Sequence, residues 1–144
     1  MQGRREMYEE LLATVTFFRD LSPRELTWLG DACRERDYAP GEHIQRQGNT
    51  SAVGLLIVLE GSVQLSRHDG GTVEDELGQF GVGAILGEQA LLEDTPAPET
   101  ITANEPTRLL ALPIWDFRMT LRDFPDLAIH LIAILGQRLR QRET

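Results

Sequence analysis

The chain has 144 residues, a formal net charge of −9 and 41% hydrophobic residues, which fits one soluble globular domain able to bury about two-thirds of its unfolded surface. Its longest apolar run, 55–59, is too short for a membrane span, which takes about 20 residues, and acidic Glu6, Glu9 and Glu10 follow Arg4 and Arg5 where an export signal would be apolar. An acidic chain binds nucleic acid poorly, because phosphate neutralisation needs clustered cations, and the single cysteine, Cys33, forms no internal disulfide and suits a reducing cytoplasm.

The charge is unevenly placed. Segment 69–105 holds nine Asp and Glu residues and no Arg or Lys, while the other residues carry fourteen acids against fourteen arginines. Lysine is absent from the chain. The acids are scattered, which favours a solvated face over a metal or cation site. His43, His68 and His130 show no metal-ligand spacing.

The N-terminal part, 5–34, reads as helical. Met7, Leu11, Leu12 and Val15 recur at helical spacing. Ser22-Pro23-Arg24-Glu25 is a capping box with proline at the first helical position. The helix it opens buries Leu26, Leu29 and Cys33 on one face, which makes Cys33 a core residue and not a nucleophile. From 35 to 112 the period changes to that of strands. A short extended run, 36–39, turns at Pro40-Gly41. A second, 43–47, turns at Gly48-Asn49. The run 54–59 has the composition of a buried strand, and Val63 and Leu65 alternate with polar residues. Asp69-Gly70-Gly71 is a hairpin signal, and an exposed strand is expected from Thr72 to Phe80. A last pair, 100–103 and 107–112, flanks Glu105-Pro106.

Two helices follow over 113–142. Pro113 opens the first, Phe124-Pro125 breaks it, and the second runs from Asp126 to about Arg140. Leu127, Leu131, Ile134 and Arg138 mark one stripe of that helix; Ile132, Leu135 and Leu139 mark another. A helix apolar on two faces must bury both. The stripe Leu127, Leu131, Ile134, Arg138 is expected to meet a second copy of the chain. Arg138, Arg140 and Arg142 also complement the dipole of a last helical turn. The expected class is α+β, mainly β: a single domain over 1–144 with a double-stranded β-helix (jelly roll) of about eight strands between N-terminal helices and two C-terminal helices.

Three segments carry a family resemblance. They are Asp37-Tyr38-Ala39-Pro40-Gly41-Glu42 with Gln47-Gly48; Leu55-Ile57-Leu59 with Glu60-Gly61-Ser62-Val63; and Gly83-Ala84-Ile85-Leu86-Gly87-Glu88-Gln89-Ala90-Leu91-Leu92. In order and spacing they resemble the cyclic-nucleotide-binding domain of the catabolite-activator (Crp/Fnr) superfamily over roughly 17–140. The third segment resembles the start of its phosphate-binding cassette. A short helix near Glu88 would present unpaired N–H groups to an anion, and Gly87 permits close approach of the backbone. The resemblance implies that Glu88 accepts a hydrogen bond from the ribose 2′-hydroxyl, and that an arginine and the N–H of the next residue hold the cyclic phosphate.

The cassette is degenerate at that point. The arginine position falls on Ala97, the next residue is Pro98, which has no N–H, and Glu99 and Thr100 follow. No basic residue lies between Arg67 and Arg108. Losing the charged partner of a buried phosphate costs roughly 2–5 kcal/mol. A carboxylate about 6 Å away adds about 2–3 kcal/mol of repulsion at an effective dielectric near 20. Together these would take a micromolar site to roughly millimolar or weaker.

The candidate ligand-binding residues are therefore Gly87, Glu88, Gln89, Ala90, Ala97, Pro98, Glu99 and Thr100. Three readings stay open. One is a regulatory sensor, in which the family resemblance implies that ligand binding reorients helices 113–140. The second is a ligand-free interaction module. The third is a site for a non-nucleotide or uncharged ligand. An arginine from a neighbouring strand, Arg67 or Arg108 for example, would partly restore cAMP or cGMP binding. No catalytic grouping, cofactor or metal is expected. The expected partners are a small-molecule ligand, a second copy through the C-terminal helix and a downstream protein. The family's transcription factors carry a helix-turn-helix beyond this point, and the chain ends at Thr144, so direct nucleic-acid contact is not expected; nor is a membrane, the longest apolar run being too short to span one.

Overall fold

In the computed structural model of the chain, residues 2–49, 52–70 and 74–143 are described. The chain divides into a helical unit, 1–33 with 115–144, and a β unit, 34–114.

The β unit holds eight strands among the described residues: β1 (Arg34–Tyr38), β2 (His43–Gln45), β3 (Gly54–Glu60), β4 (Val63–His68), β5 (Glu74–Phe80), β6 (Ile85–Leu86), β7 (Thr100–Ala103) and β8 (Thr107–Pro113). They form two antiparallel four-stranded sheets, ordered β1-β8-β3-β6 and β2-β7-β4-β5. The expected strand roll of mainly β class is what is observed. The start expected at Thr72 and the hairpin residue Gly71 lie outside the described residues; β5 is seen from Glu74.

The continuous apolar run of β3 has a physical reason. Leu55, Leu56, Ile57 and Val58 are all buried, so both faces of the strand are covered. Leu56 and Val58 join Ile44, Val63, Leu86, Ile101 and Leu109 in the core of the roll. β6, two residues long, holds to β3 through Leu56 opposite Leu86 and Ile57 opposite Ile85. That pairing sets where the cassette leaves the sheet.

The helical unit contains α1 (Gln2–Leu12), a 3-10 turn (Thr16–Phe18), α2 (Pro23–Asp31), α3 (Ile114–Asp123) and α4 (Pro125–Glu143). The capping box forms as the sequence dictates. The Glu25 N–H donates to the Ser22 hydroxyl at 3.2 Å, and the Ser22 N–H donates to the Glu25 carboxylate at 2.9 Å. Leu26, Leu29 and Cys33 are buried, as their spacing requires. The break at Phe124 leaves its ring stacked on Trp28, with centroids 4.1 Å apart. None of the described helices is long and apolar enough to cross a membrane.

The two stripes of α4 are placed otherwise than expected. Leu127, Leu131 and Ile134, assigned to a second copy, are buried within the single chain. Arg138 donates from Nη2 to the Thr16 carbonyl at 2.6 Å and lies over the Phe17 ring, drawing this stripe inward at the 3-10 turn. The exposed apolar residues of α4 are Ile129, Ile132 and Leu139.

Candidate functional site

The register of the second sheet builds the site. Leu65 of β4 faces Ile101 of β7, and Ser66 faces Thr100. The next residues outward on the two chains are Arg67 and Glu99, so the sheet itself delivers a guanidinium to the cassette. Arg67 Nε donates to the Pro98 carbonyl at 3.1 Å, and Arg67 Nη2 lies 3.7 Å from Glu99 Oε2. The Glu99 side chain is 14% exposed against 52% for Arg67. Burial pushes the Glu99 carboxyl above its ordinary value, and Arg67 pulls it only partly back.

Glu99 is held from the other side as well. The buried Gln45 donates from Nε2 to the Glu99 carbonyl at 3.0 Å and accepts the Val53 N–H at 3.0 Å. Ala97 is buried, its N–H bonded to the Asn49 carbonyl and its own carbonyl accepting from Gly48. Thr100 accepts the Gln47 N–H at 3.0 Å. Segment 97–100 is thus fixed along the outer end of β2.

These elements enclose a cavity of about 540 Å³, within the size of ordinary small-ligand pockets. Six of the eight expected residues line it: Gly87, Glu88, Gln89, Ala90, Pro98 and Glu99. Ala97 and Thr100 are not among its lining residues; Ala97 faces the buried side of its segment, and the Thr100 hydroxyl is taken by Gln47. Phe80 and Gln45 join the lining from β5 and β2, and the sequence reading did not single them out. Of the two arginines considered from neighbouring strands, Arg67 lines the cavity. Arg108 instead donates to Asp37 at 2.8 Å, across β8 and β1 of the other sheet.

The short helix expected near Glu88 is present as the cassette turn. It is a single 3-10 turn, Gln89–Leu91, in which the Ala90 N–H is bonded to the Gly87 carbonyl and the Leu92 N–H to the Gln89 carbonyl. From 93 to 98 the chain takes neither helix nor strand, and Pro96 and Pro98 have no N–H to donate within a helix. The Glu88 side chain makes no capping hydrogen bond to this turn. Its ionisable lining consists of three carboxylates, Glu88, Glu93 and Glu99, against the one guanidinium of Arg67. The cavity therefore carries formal negative charge where a bound phosphate would require positive charge.

Comparison with known proteins places this geometry. The family model of the cyclic nucleotide-binding domain matches residues 35–124, more than half of the chain. The cyclic AMP receptor protein of Thermus thermophilus is 33% identical over 126 residues, covering 88% of this chain and 58% of that protein. The N-terminal domain of a transcriptional regulator from Streptomyces coelicolor superposes with a TM-score of 0.76 at 28% identity, covering 92% of each chain. The regulatory subunit of a cAMP-independent protein kinase A from Trypanosoma brucei superposes with a TM-score of 0.68 at 29% identity, covering 90% of this chain and 47% of that one. The chain thus spans little more than half of the Thermus relative. The matched β unit and its cassette identify the chain as a member of the cyclic nucleotide-binding domain family.

Proposed function

We propose that this chain is a non-catalytic regulatory module of the cytoplasm that does not bind cAMP or cGMP in the ordinary way at neutral pH. One observation carries this reading: among the described residues the only guanidinium lining the cavity, Arg67, is bonded to the Pro98 carbonyl and faces the Glu99 carboxylate as its counter-ion. A cyclic phosphate would have to displace a carboxylate of this same chain, with Glu88 and Glu93 facing the same space. The absence of a cation at position 97 and of an N–H at position 98 works in the same direction. The Trypanosoma relative, whose kinase is described as cAMP-independent, supports a fold that outlasts dependence on cAMP.

The module signals as a dimer through α4. The exposed residues Ile129, Ile132 and Leu139 stand three and ten positions along one helical stripe, with Gly136 between them, which is the spacing of a two-stranded helical seam.

Thermal unfolding with cAMP or cGMP at about 1 mM tests the ligand reading. A micromolar site would gain about 4 kcal/mol, raising Tm by roughly 8–16 °C for a chain of this size. The expected rise is no more than about 2 °C, and a shift in the larger range overturns the proposal.

A further inference from the structure

We propose that Glu99 is the cavity's resident anion, and that Arg67 passes from Glu99 to a ligand oxyanion only as Glu99 takes up a proton. This inference rests on the proposed function and names how the same site is regulated.

The geometry gives a guanidinium with two tasks inside one cavity. Its Nε is fixed on the Pro98 carbonyl at 3.1 Å, which holds the plane of the group against the cassette. Its Nη2 faces Glu99 Oε2 at 3.7 Å, long for a hydrogen bond, so this edge is attracted but not locked. An oxyanion entering the cavity would meet the Nη2 edge, because that is the cationic edge the cavity presents. The backbone of Glu99 cannot retreat to make room. Gln45 holds its carbonyl at 3.0 Å, and Thr100 beside it is bonded to Gln47. Two anions would then share one cation in a half-enclosed space, an arrangement relieved by protonating one of them.

Glu99 is the group that can do so. From β4 it faces Arg67; from the cassette turn, Glu88 and Glu93 line the same cavity. From β2 and β5 come the uncharged Gln45 and Phe80. Burial already favours the neutral form of the Glu99 carboxyl. The proton comes from solvent: one is taken up for each singly charged oxyanion bound, and no bond is made or broken beyond that transfer. At neutral pH the pocket is closed to anions by its own side chain, and mild acid opens it. By linkage, affinity for an oxyanion rises as pH falls.

Calorimetric titration of the full chain with cAMP tests this near pH 7.5 and near pH 5, in buffers of different ionisation enthalpy. Wild type should bind roughly tenfold or more tightly at the lower pH, with a net but fractional proton uptake per cAMP, because part of the free Glu99 is already protonated there. Glu99→Gln, checked for native circular dichroism, should bind roughly tenfold or more tightly than wild type near pH 7.5 and lose most of the proton uptake. Adding Arg67→Ala to Glu99→Gln should abolish the gain. The inference is overturned if Glu99→Gln binds no better than wild type, or if proton uptake survives in it. Should Glu99→Gln fail to fold, the wild-type pH dependence alone decides, and an affinity equal at the two pH values refutes the inference. Micromolar wild-type binding near pH 7.5 without proton uptake would sink the proposed function itself. A weak wild type with an equally weak Glu99→Gln leaves that reading standing and removes only this one.

Discussion

Gly87→Ala probes whether the cassette sits where the pairing of β6 on β3 puts it. Gly87 has φ of +74°, and a Cβ built there would overlap the carbonyl oxygen of Gly54 and stand 3.1 Å from its carbonyl carbon. Both atoms are backbone of β3, whose Gly54 is itself paired with Pro113 of β8, so the strand cannot yield. The cassette must move instead. An alanine in the left-handed region costs about 1–2 kcal/mol. Lifting β6 off β3 loses ladder hydrogen bonds worth about 1 kcal/mol each. Uncovering Leu86, which is 7% exposed, costs about 1.5–3 kcal/mol more. With two such bonds the sum is about 4.5–7 kcal/mol, which at roughly 2–4 °C per kcal/mol lowers Tm by about 9–28 °C. Gly41→Ala is the control. Its φ is +83° and nothing lies within 4 Å of the added carbon, so it carries only the backbone cost of about 1–2 kcal/mol. Thermal unfolding of the two variants by circular dichroism, at equal concentration, compares them directly. If Gly87→Ala melts within about 3 °C of Gly41→Ala, the close approach of cassette and β3 is wrong.

Cys33 is buried, its thiol pushed up to about 12 by desolvation, so alkylating reagents at mildly alkaline pH should modify it only after denaturant is added; rapid labelling of the folded chain would contradict its core placement. Burial pushes the Glu25 carboxyl up, but the Ser22 N–H, His130 and the Ser22 hydroxyl outweigh it and hold the group below its ordinary value of 4.5. Stability from these bonds is therefore present above that value and lost as pH falls through the lower folded one. Glu25→Gln should cost about 1–2 kcal/mol at neutral pH by denaturant titration, and much less near pH 3; an equal loss at both pH values would refute the assignment. Ile132→Asp should convert a dimer to monomer in analytical ultracentrifugation without lowering helicity, and a wild-type chain that sediments as a monomer at tens of micromolar would remove the α4 seam.

What was legible in the sequence was local or periodic. The capping box at Ser22 and Glu25 needs only residues three apart, and it forms as written. The apolar run of β3 and the Pro40-Gly41 turn follow from short-range chemistry, and the cassette glycine lies where the motif spacing puts it. The stripe of α4 that faces inward was not legible. Leu127, Leu131 and Ile134 are no more apolar than Ile129, Ile132 and Leu139, and Arg138 at the end of the inward stripe is bonded to the Thr16 carbonyl, 122 positions away, a partner that helical spacing does not show. Arg67 was legible as one of two arginines from neighbouring strands that could serve the cassette, but its pairing with Glu99 was out of reach. Arg67 and Glu99 are 32 positions apart, and only the β4–β7 register, with Ser66 opposite Thr100, brings them together.

The claim on which the rest depends is that the cavity has no free cation for a cyclic phosphate at neutral pH. Isothermal titration calorimetry of the wild-type chain with cAMP and with cGMP near pH 7.5 measures it most directly. The account predicts a Kd of about 1 mM or weaker for both. A stoichiometric heat with a Kd of about 1 μM for either nucleotide would contradict it.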